Sequence, residues 1–364
     1  MTTILFRYMI REYLKIFFMC FAGLMTVYLV VDFFEKVRRF IRFDADATHI
    51  LTFFLLRMPA IAFQIAPLAV LMATLLTLGM LSRNHEITAM RSCGISLYRT
   101  ALPFFVCASL IAIGLFGLSA VIVPVTNAKA EYVRTTLIEK KNPMTILKTL
   151  RPWIQLENQT LLNIEMMEPD GLVLHGLQLY RLGPDFQLME MTQAREAVYT
   201  PQGWIMQDGL TRVLSPDGTV AIQAFATKPL ALSQGPQDFR TGLSGESEEL
   251  TLTELGARIT RLKQDGYNVS RLLTEYHGRI AFPFVSIVMA VVGIALSLKR
   301  TGVRGGGMAI GIGQALVIGF LYWAAYSVAI ALGRSGVMAP ILAGWMTNLL
   351  FLSYGWYLYL KVSH

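Results

Sequence analysis

Apolar residues in this 364-residue chain are gathered into six long runs, at residues 13–34, 58–81, 100–125, 280–298, 307–332 and 338–360. Each is long enough to carry a helix across about 30 Å of hydrocarbon, which takes roughly 20 apolar residues. Pro59, Gln64 and Pro67 interrupt the second run and Pro283 the fourth. Neighbouring helices in a bilayer satisfy the backbone groups that proline frees, so these positions predict packing kinks and not breaks. Between the third and fourth runs the pattern changes. Eight short stretches read as strands, at 153–157, 160–166, 172–182, 186–191, 194–200, 204–207, 210–214 and 220–225. Most are separated by turn chemistry: Pro169-Asp170-Gly171, Gly183-Pro184-Asp185, Pro201-Gln202-Gly203 and Ser215-Pro216-Asp217-Gly218. Short strands so punctuated predict a sandwich or an open roll. Residues 233–249 are polar and predict an exposed loop. Leu252, Leu255, Ile259 and Leu262 then share one face of a predicted amphipathic helix, which Gly266 ends. The order is three spans, a β domain and three spans, with no internal repeat.

Composition agrees with that order. Hydrophobic residues make up 54% of the chain and charged residues 15%, against about a quarter charged in soluble globular proteins. Mean hydropathy is +0.50. A soluble enzyme, a disordered chain and a disulfide-stapled secreted module are excluded, and an integral membrane protein is left. Charge is divided unevenly. Residues 126–275 hold 15 Lys/Arg against 18 Asp/Glu, a net of −3, and the rest holds 17 against 6, a net of +11. The basic excess therefore belongs to the apolar portion, where it faces anionic head groups, and it does not indicate a nucleic-acid partner. Cys20, Cys93 and Cys107 all lie outside the polar central segment, which has no disulfide framework. The apolar stretch 16–34 is too long for the core of a signal peptide and no small-residue cleavage site follows it, so it reads as a retained span.

Orientation follows from the basic residues of the short loops. An inside N-terminus puts ten of them in the cytoplasm: Arg7, Arg11, Lys15, Arg83, Arg91, Arg99, Lys299, Arg300, Arg304 and Lys361. Six lie outside: Lys36, Arg38, Arg39, Arg42, Arg57 and Arg334. Both termini are expected inside and the β domain outside.

Catalytic signatures are missing from the sequence. It has no Gly-x4-Gly-Lys-Ser/Thr pattern to cradle nucleotide phosphates, and Gly305-Gly306-Gly307 lacks the lysine that would follow. His85-Glu86 begins like a zinc-peptidase motif, but Ala89 and Met90 stand where a second histidine is needed. The five histidines are scattered, without metal-ligand spacing. Asp44-Ala45-Asp46 is a chelating pair in form, but it reads better as a solvated acidic loop.

Three constellations remain. The inner loop 81–96 predicts a short helix, capped by Ser82 or Asn84 and ended by Gly94, with Glu86 and Met90 one turn apart and Ile87 beside them. Such a helix can dock into a groove on a soluble partner; the plainer alternative is an interfacial helix lying on head groups. At the outer end of span one stand Asp32, Glu35, Lys36, Arg38, Arg39 and Arg42. Outer loops avoid basic runs, so this is either a site for lipid phosphates or a snorkelling cap for a long helix. Finally, Gly307, Gly311, Gly313, Ala315 and Gly319 give span five a small-residue face, either a packing seam or a seam that opens.

Together these pieces resemble the LptF/LptG permease family, the membrane subunits of the lipopolysaccharide exporter. The likeness covers essentially the whole chain in its order of parts. Its most specific stretch runs from Leu78-Gly79-Met80-Leu81 through Glu86-Ile87-Thr88-Ala89-Met90 to Gly94-Ile95-Ser96. Arg7-Tyr8 and Ala343-Gly344-Trp345-Met346-Thr347-Asn348-Leu349 add to it. The resemblance implies an α-helical inner-membrane protein of six transmembrane helices with an all-β, jellyroll-like periplasmic domain between helices three and four. Residues 1–125 would hold spans one to three with a coupling helix near 83–94, residues 126–275 the periplasmic domain with flanking helices, and residues 276–364 spans four to six. It further implies a permease half with no nucleotide site of its own, ATP and Mg belonging to a cytoplasmic, LptB-like ATPase dimer. The other implied partners are a second, LptF-like permease, an LptC-like bitopic periplasmic protein and lipopolysaccharide. Glu86, Ile87, Met90 and Gly94 would form the coupling element, with Glu86 as its key polar contact. Lys36, Arg38, Arg39 and Arg42 would meet lipid A phosphates, although an acidic residue at Asp32 departs from what a phosphate site favours. Span one and the partner's span five would form a lateral gate, and Gly307 and Gly311 are the corresponding packing positions here. Asp32-Phe33-Phe34-Glu35 and Ala343-Gly344-Trp345 resemble the LptG-like member. Two readings of other classes stand beside this one: a scaffold that couples an ATPase to an outer domain without moving lipid, and a lipid-modifying enzyme, for which only Asp44 and Asp46 offer a polar cluster.

Overall fold

The structure is a computed structural model that describes residues 3–43, 45–139, 153–156, 159–167, 172–183, 187–201, 203–214, 219–230, 232, 250–264, 268–299 and 308–362. The loop 233–249, Asp44, Gly266 and the three glycines Gly305, Gly306 and Gly307 lie outside the described residues. The chain divides into a helical unit, Met1–Glu131 with Ser247–His364, and a second unit, Tyr132–Glu246.

In the helical unit α1 (Thr3–Ile41) and α2 (Ala47–Arg83) are 39 and 37 residues long. At 1.5 Å per residue α1 is about 58 Å long, nearly twice the hydrocarbon thickness. A short α3 (Glu86–Ser92) follows, then α4 (Leu97–Gly117), a π turn (Leu118–Ile122) and α5 (Val123–Tyr132), which ends where the second unit begins with a second π turn (Val133–Ile138). After the strands come α6 (Leu252–Gln264), α7 (Ser270–Ala281), a 3₁₀ turn (Phe282–Phe284), α8 (Val285–Lys299), α9 (Met308–Arg334) and α10 (Pro340–Val362). Among the described residues five helical stretches are long and apolar enough to cross a membrane: Ile4–Ile41, Ala47–Arg83, Leu97–Ile138, Ser270–Leu298 and Ile310–Arg334. The 23-residue α10 stands outside that set; Asn348 and its Trp and Tyr residues lower its hydropathy.

Burial distinguishes centre from periphery. The apolar windows of α2 and of the α7–α8 stretch are 78% and 67% buried, those of α1 and α9 only 17% each. α2 is thus the hub, packed by α1, α8 and α9. Its buried Thr74 and Thr77 return their hydroxyls to the Val70 and Ala73 carbonyls, at 2.8 and 2.7 Å, which removes the cost of burying them. At the other side of the unit a 3₁₀ turn containing Pro283 joins α7 to α8, and Val285 N–H turns to the Phe282 carbonyl. The Ala281 carbonyl, from which that turn starts, also accepts from Asn348 Nδ2 at 2.8 Å, and Asn348 Oδ1 accepts from the Tyr322 hydroxyl at 2.6 Å. One buried amide therefore ties α7, α9 and α10 together.

The predicted amphipathic helix is α6. Thr251 and Glu254 form a reciprocal cap: Thr251 N–H donates to Glu254 Oε2 at 2.9 Å and Glu254 N–H to Thr251 Oγ1 at 3.3 Å. The hydrogen bonds from Thr251 hold the Glu254 carboxyl below its ordinary range. A depressed folded-state value stabilises above the unfolded one and is lost as pH falls through it. Thr251→Ala is expected to cost about 1 kcal/mol, read as faster amide exchange across Leu255 and Ile259. Acidification through the carboxylate range should narrow the difference from wild type, leaving the part due to the Glu254 N–H bond to Thr251 Oγ1.

The second unit is one antiparallel sheet of six strands in sequential order, β1 (Trp153–Leu156), β2 (Thr160–Met167), β3 (Val173–Leu182), β4 (Leu188–Thr200), β5 (Gly203–Leu214) and β6 (Val220–Leu230). Two corrections follow. The eight expected strands are six, because 186–191 with 194–200, and 204–207 with 210–214, are each one long strand. A jellyroll joins two sheets by Greek-key connections, and among the described residues the order is that of a meander.

The sheet is nevertheless creased. Pairing skips one row, Glu165, Gly176, Arg195, Asp208 and Ala226, while the register on either side is unchanged. Gly176 and Asp208 in that row have φ of 64° and 50°, a left-handed conformation that glycine and aspartate adopt most readily in a row of this kind. Crossing the row changes which positions face inward. Leu174 and Leu177 are both buried, as are Ala194 and Ala197, three residues apart instead of two or four. The buried cluster thus draws on both sides of the crease, with Leu162, Ile164 and Ala194 on one and Leu174, Trp204 and Met206 on the other.

Candidate functional site

α3 is set between two positive-φ residues. Asn84 ends α2 by donating its N–H to Met80 O, and His85, at φ 59°, turns the chain into α3. The cap position is therefore His85 and not Ser82 or Asn84, and its side chain makes no capping bond. At the other end Gly94 has φ 76°. Gly94 N–H donates to Arg91 O at 2.9 Å and Ile95 N–H to Met90 O at 3.0 Å, the paired bonds of a Schellman stop. A side chain with a Cβ at Gly94 would be strained by that φ. Ser96 then caps α4, accepting from Arg99 N–H at 3.4 Å.

The three docking residues read from the sequence do not share one outward face. Ile87 and Met90 are 2% and 7% exposed and belong to the core with Leu78 and Leu81 of α2. Their physical part is to hold α3 down. The outward residues are His85, Thr88, Ala89, Arg91 and Ser92. Glu86 lies half-buried at the edge, where the Tyr8 hydroxyl and Asn84 Nδ2 donate to its Oε1 at 3.4 and 3.3 Å. Tyr8 was not legible as its partner, since 78 residues separate the two. Beside α3 a cleft of about 390 Å³ is lined by Arg91, Gly94, Ser96, Tyr98, Leu298 and Tyr359. Cations rim this end: Arg83, Arg91 and Arg99 are all exposed.

At the far end of α1 the basic residues separate into two groups. Arg38 and Arg39 in the last turn of the helix, and Arg42 just after it, are exposed. Lys36 is turned inward, ion-paired with Asp32 one turn before it and 5.9 Å from the centroid of the Phe53 ring. Phe40, Phe53 and Phe54 pack edge to face beneath it. The spacing of four between Asp32 and Lys36 is the signal that predicts this pair from sequence.

The small-residue face of α9 packs on α2 of the same chain: a Cβ added at Gly311 would lie 3.5 Å from Leu76, and one at Gly319 would collide with Leu68. Gly311 is thus an intrachain seam position; Gly307 lies outside the described residues. Outward, α9 exposes Leu316, Val317, Phe320 and Leu321, and α1 exposes Phe18, Met19, Val27 and Phe34. Contiguous apolar surface of this extent belongs in lipid or against another subunit.

Residues 7–361 match the family of the lipopolysaccharide export system permease LptF/LptG. The chain belongs to this family. No individual curated protein matches it. Family membership makes the LptF/LptG-type chain a permease subunit of the lipopolysaccharide export system and not itself an enzyme, with a role in a complex of partner proteins. Its helices agree with a multi-pass membrane protein.

Proposed function

We propose that this permease extracts lipopolysaccharide from the inner membrane and passes it to a periplasmic bridge, driven by a separate cytoplasmic ATPase dimer that docks on α3. The observation that carries the coupling is the build of α3: a seven-residue helix, too short to persist alone, fixed by Ile87 and Met90 in the core. Force applied to its outward residues and to Glu86 is therefore delivered to α2, the hub of the bundle. α10 serves as the sixth span, both termini lie in the cytoplasm and the sheet is periplasmic, where its creased meander hands the lipid to the bridge. Arg38, Arg39 and Arg42 meet lipid phosphates. The exposed apolar sides of α1 and α9 suit a gate shared with a paralogous permease, and an LptC-like protein completes the assembly. Asp32-Phe33-Phe34-Glu35 and Ala343-Gly344-Trp345 favour the LptG-like subtype.

The test is co-purification from detergent-solubilised membranes, wild type against Glu86→Arg. The wild type should carry an ATPase and hydrolyse ATP, and the variant should lose it while the permease pair stays folded. A folded wild-type pair without any ATPase would sink the proposal. An ATPase retained by a wild type that moves no lipid would leave the scaffold reading. Arg38→Glu with Arg39→Glu should abolish lipid crosslinking without loss of assembly.

A further inference from the structure

The outer end of α1 places a buried anion among the cations assigned above to lipid phosphate. Asp32 is 7% exposed. One carboxylate oxygen pairs with Lys36, and the other, Oδ2, is buried with no hydrogen-bond partner among the described residues. Lys36 and Arg57 stand 5.9 and 5.8 Å from the centroid of the same Phe53 ring, and Tyr28, a turn before Asp32, donates to Gln64 Oε1 at 3.4 Å. Exposed pairs at this spacing contribute little. Here Lys36 is the ion-paired partner of a buried carboxylate among the described residues, and removing one member of such a pair leaves the other charge poorly compensated.

We propose that Asp32 is a specificity-determining positioning residue, an internal counter-ion that holds Lys36 in the groove between α1 and α2 so that only a dianionic phosphomonoester head group recruits it. The inference rests on the phosphate reading of the arginines. A phosphodiester carries one negative charge, no more than the carboxylate it must displace. A phosphomonoester carries nearly two at neutral pH and three strong acceptor oxygens, enough to draw Lys36 from Asp32 along its flexible stem. Bulk phospholipids are phosphodiesters, so the pair lets them touch Arg38 and Arg42 without engaging Lys36.

The test is native mass spectrometry of the intact permease complex at pH 8, with phosphatidic acid and phosphatidylglycerol of identical acyl chains in competition. Wild type should retain the monoester preferentially. Asp32→Asn should release Lys36 to both lipids and reduce that preference about tenfold, the worth of one charge-assisted contact, while Asp32→Glu should restore it. Lys36→Gln should lower monoester retention by a similar factor and leave phosphodiester retention unchanged, which keeps the test open if Asp32→Asn fails to assemble. A preference that is unmoved in Asp32→Asn, or a Lys36→Gln variant that loses both lipids alike, overturns the proposal. Retention that depends on Arg38 and Arg39 but not on Asp32 or Lys36 removes only this inference. Retention indifferent to the arginines removes the phosphate reading beneath it as well.

Discussion

On the coupling proposed above, an Ile87→Ala/Met90→Ala variant is expected to release lipopolysaccharide at least tenfold more slowly while ATP hydrolysis by the proposed partner persists. Each side chain is buried in the core beneath α3, and truncating a buried Ile or Met to Ala costs about 2–5 kcal/mol. Two such losses exceed what a seven-residue helix can recover from its own hydrogen bonds. The Schellman stop at Gly94 fixes how α3 ends, and Ile95 beyond it is only partly buried against the same core, too little to replace the lost anchors. Glu86 and the outward residues are unchanged in the variant, so what weakens is the rigid link from α3 to α2 and not the chemistry α3 presents. Hydrogen exchange across 86–95 reports the loosening directly, with Thr88→Ala on the outward face as a control that should change it little. Unchanged protection in the double variant would mean that α3 is held by something other than its buried pair.

Asn348→Leu is expected to lower the stability of the detergent-solubilised protein by about 2–3 kcal/mol, although Leu is nearly isosteric and more apolar. The substitution strips the side-chain donor from the Ala281 carbonyl, which keeps only the bond of the 3₁₀ turn, and an acceptor from the Tyr322 hydroxyl. Each buried group that loses a partner costs about 1–3 kcal/mol, moderated in a bilayer because the unfolded helices also find partners. Tyr322→Phe removes only one bond and should cost about 0.6 kcal/mol, the mean for interhelical bonds in membranes. Thermal unfolding of the two variants separates the cases. Equal losses would mean that the Asn348 bond to the Ala281 carbonyl contributes nothing of its own.

Hydropathy located the helices at their lipid-crossing centres and missed their ends, for a physical reason. It reports the solvent that a segment prefers, whereas a helix ends where its backbone bonds end. Span one was read as 13–34, but α1 runs from Thr3 to Ile41, through charged turns whose i→i+4 bonds need no apolar surroundings. The loop expected after it is largely the start of α2. The merged strands have a similar origin. Polar Thr192 looks like a break in a strand, yet it is buried against Thr211, with hydroxyl oxygens 3.3 Å apart. Gln207-Asp208-Gly209 looks like a turn and is a crease within β5. At the coupling element Gly94 was legible because only its stop needs that conformation. The inward direction of Ile87 and Met90 was not, since a seven-residue helix offers too few turns for periodicity to say which face meets α2. Lys36 was read as a phosphate ligand because its position favours one; the signal for the pair it makes with Asp32 was their spacing of four, which a basic run around it obscured.

The π turn after α4 changes the phase of everything read along that helix. Buried positions in α4 recur every three or four residues through Ala108, Ala112, Leu115 and Ser119, but the next is Pro124, five residues on. A π turn closes i→i+5 bonds and so holds one residue more than an α turn. That extra residue restores the alignment of the buried side, which a continuous α-helix would rotate by about 100° per residue out of step. A single deletion anywhere in Leu118–Ile122 is therefore not a local shortening. It would turn the stretch from Val123 to Glu131 by about 100°, enough to move its buried positions out of line with those of α4, and a related chain lacking the turn should carry a one-residue gap at this point.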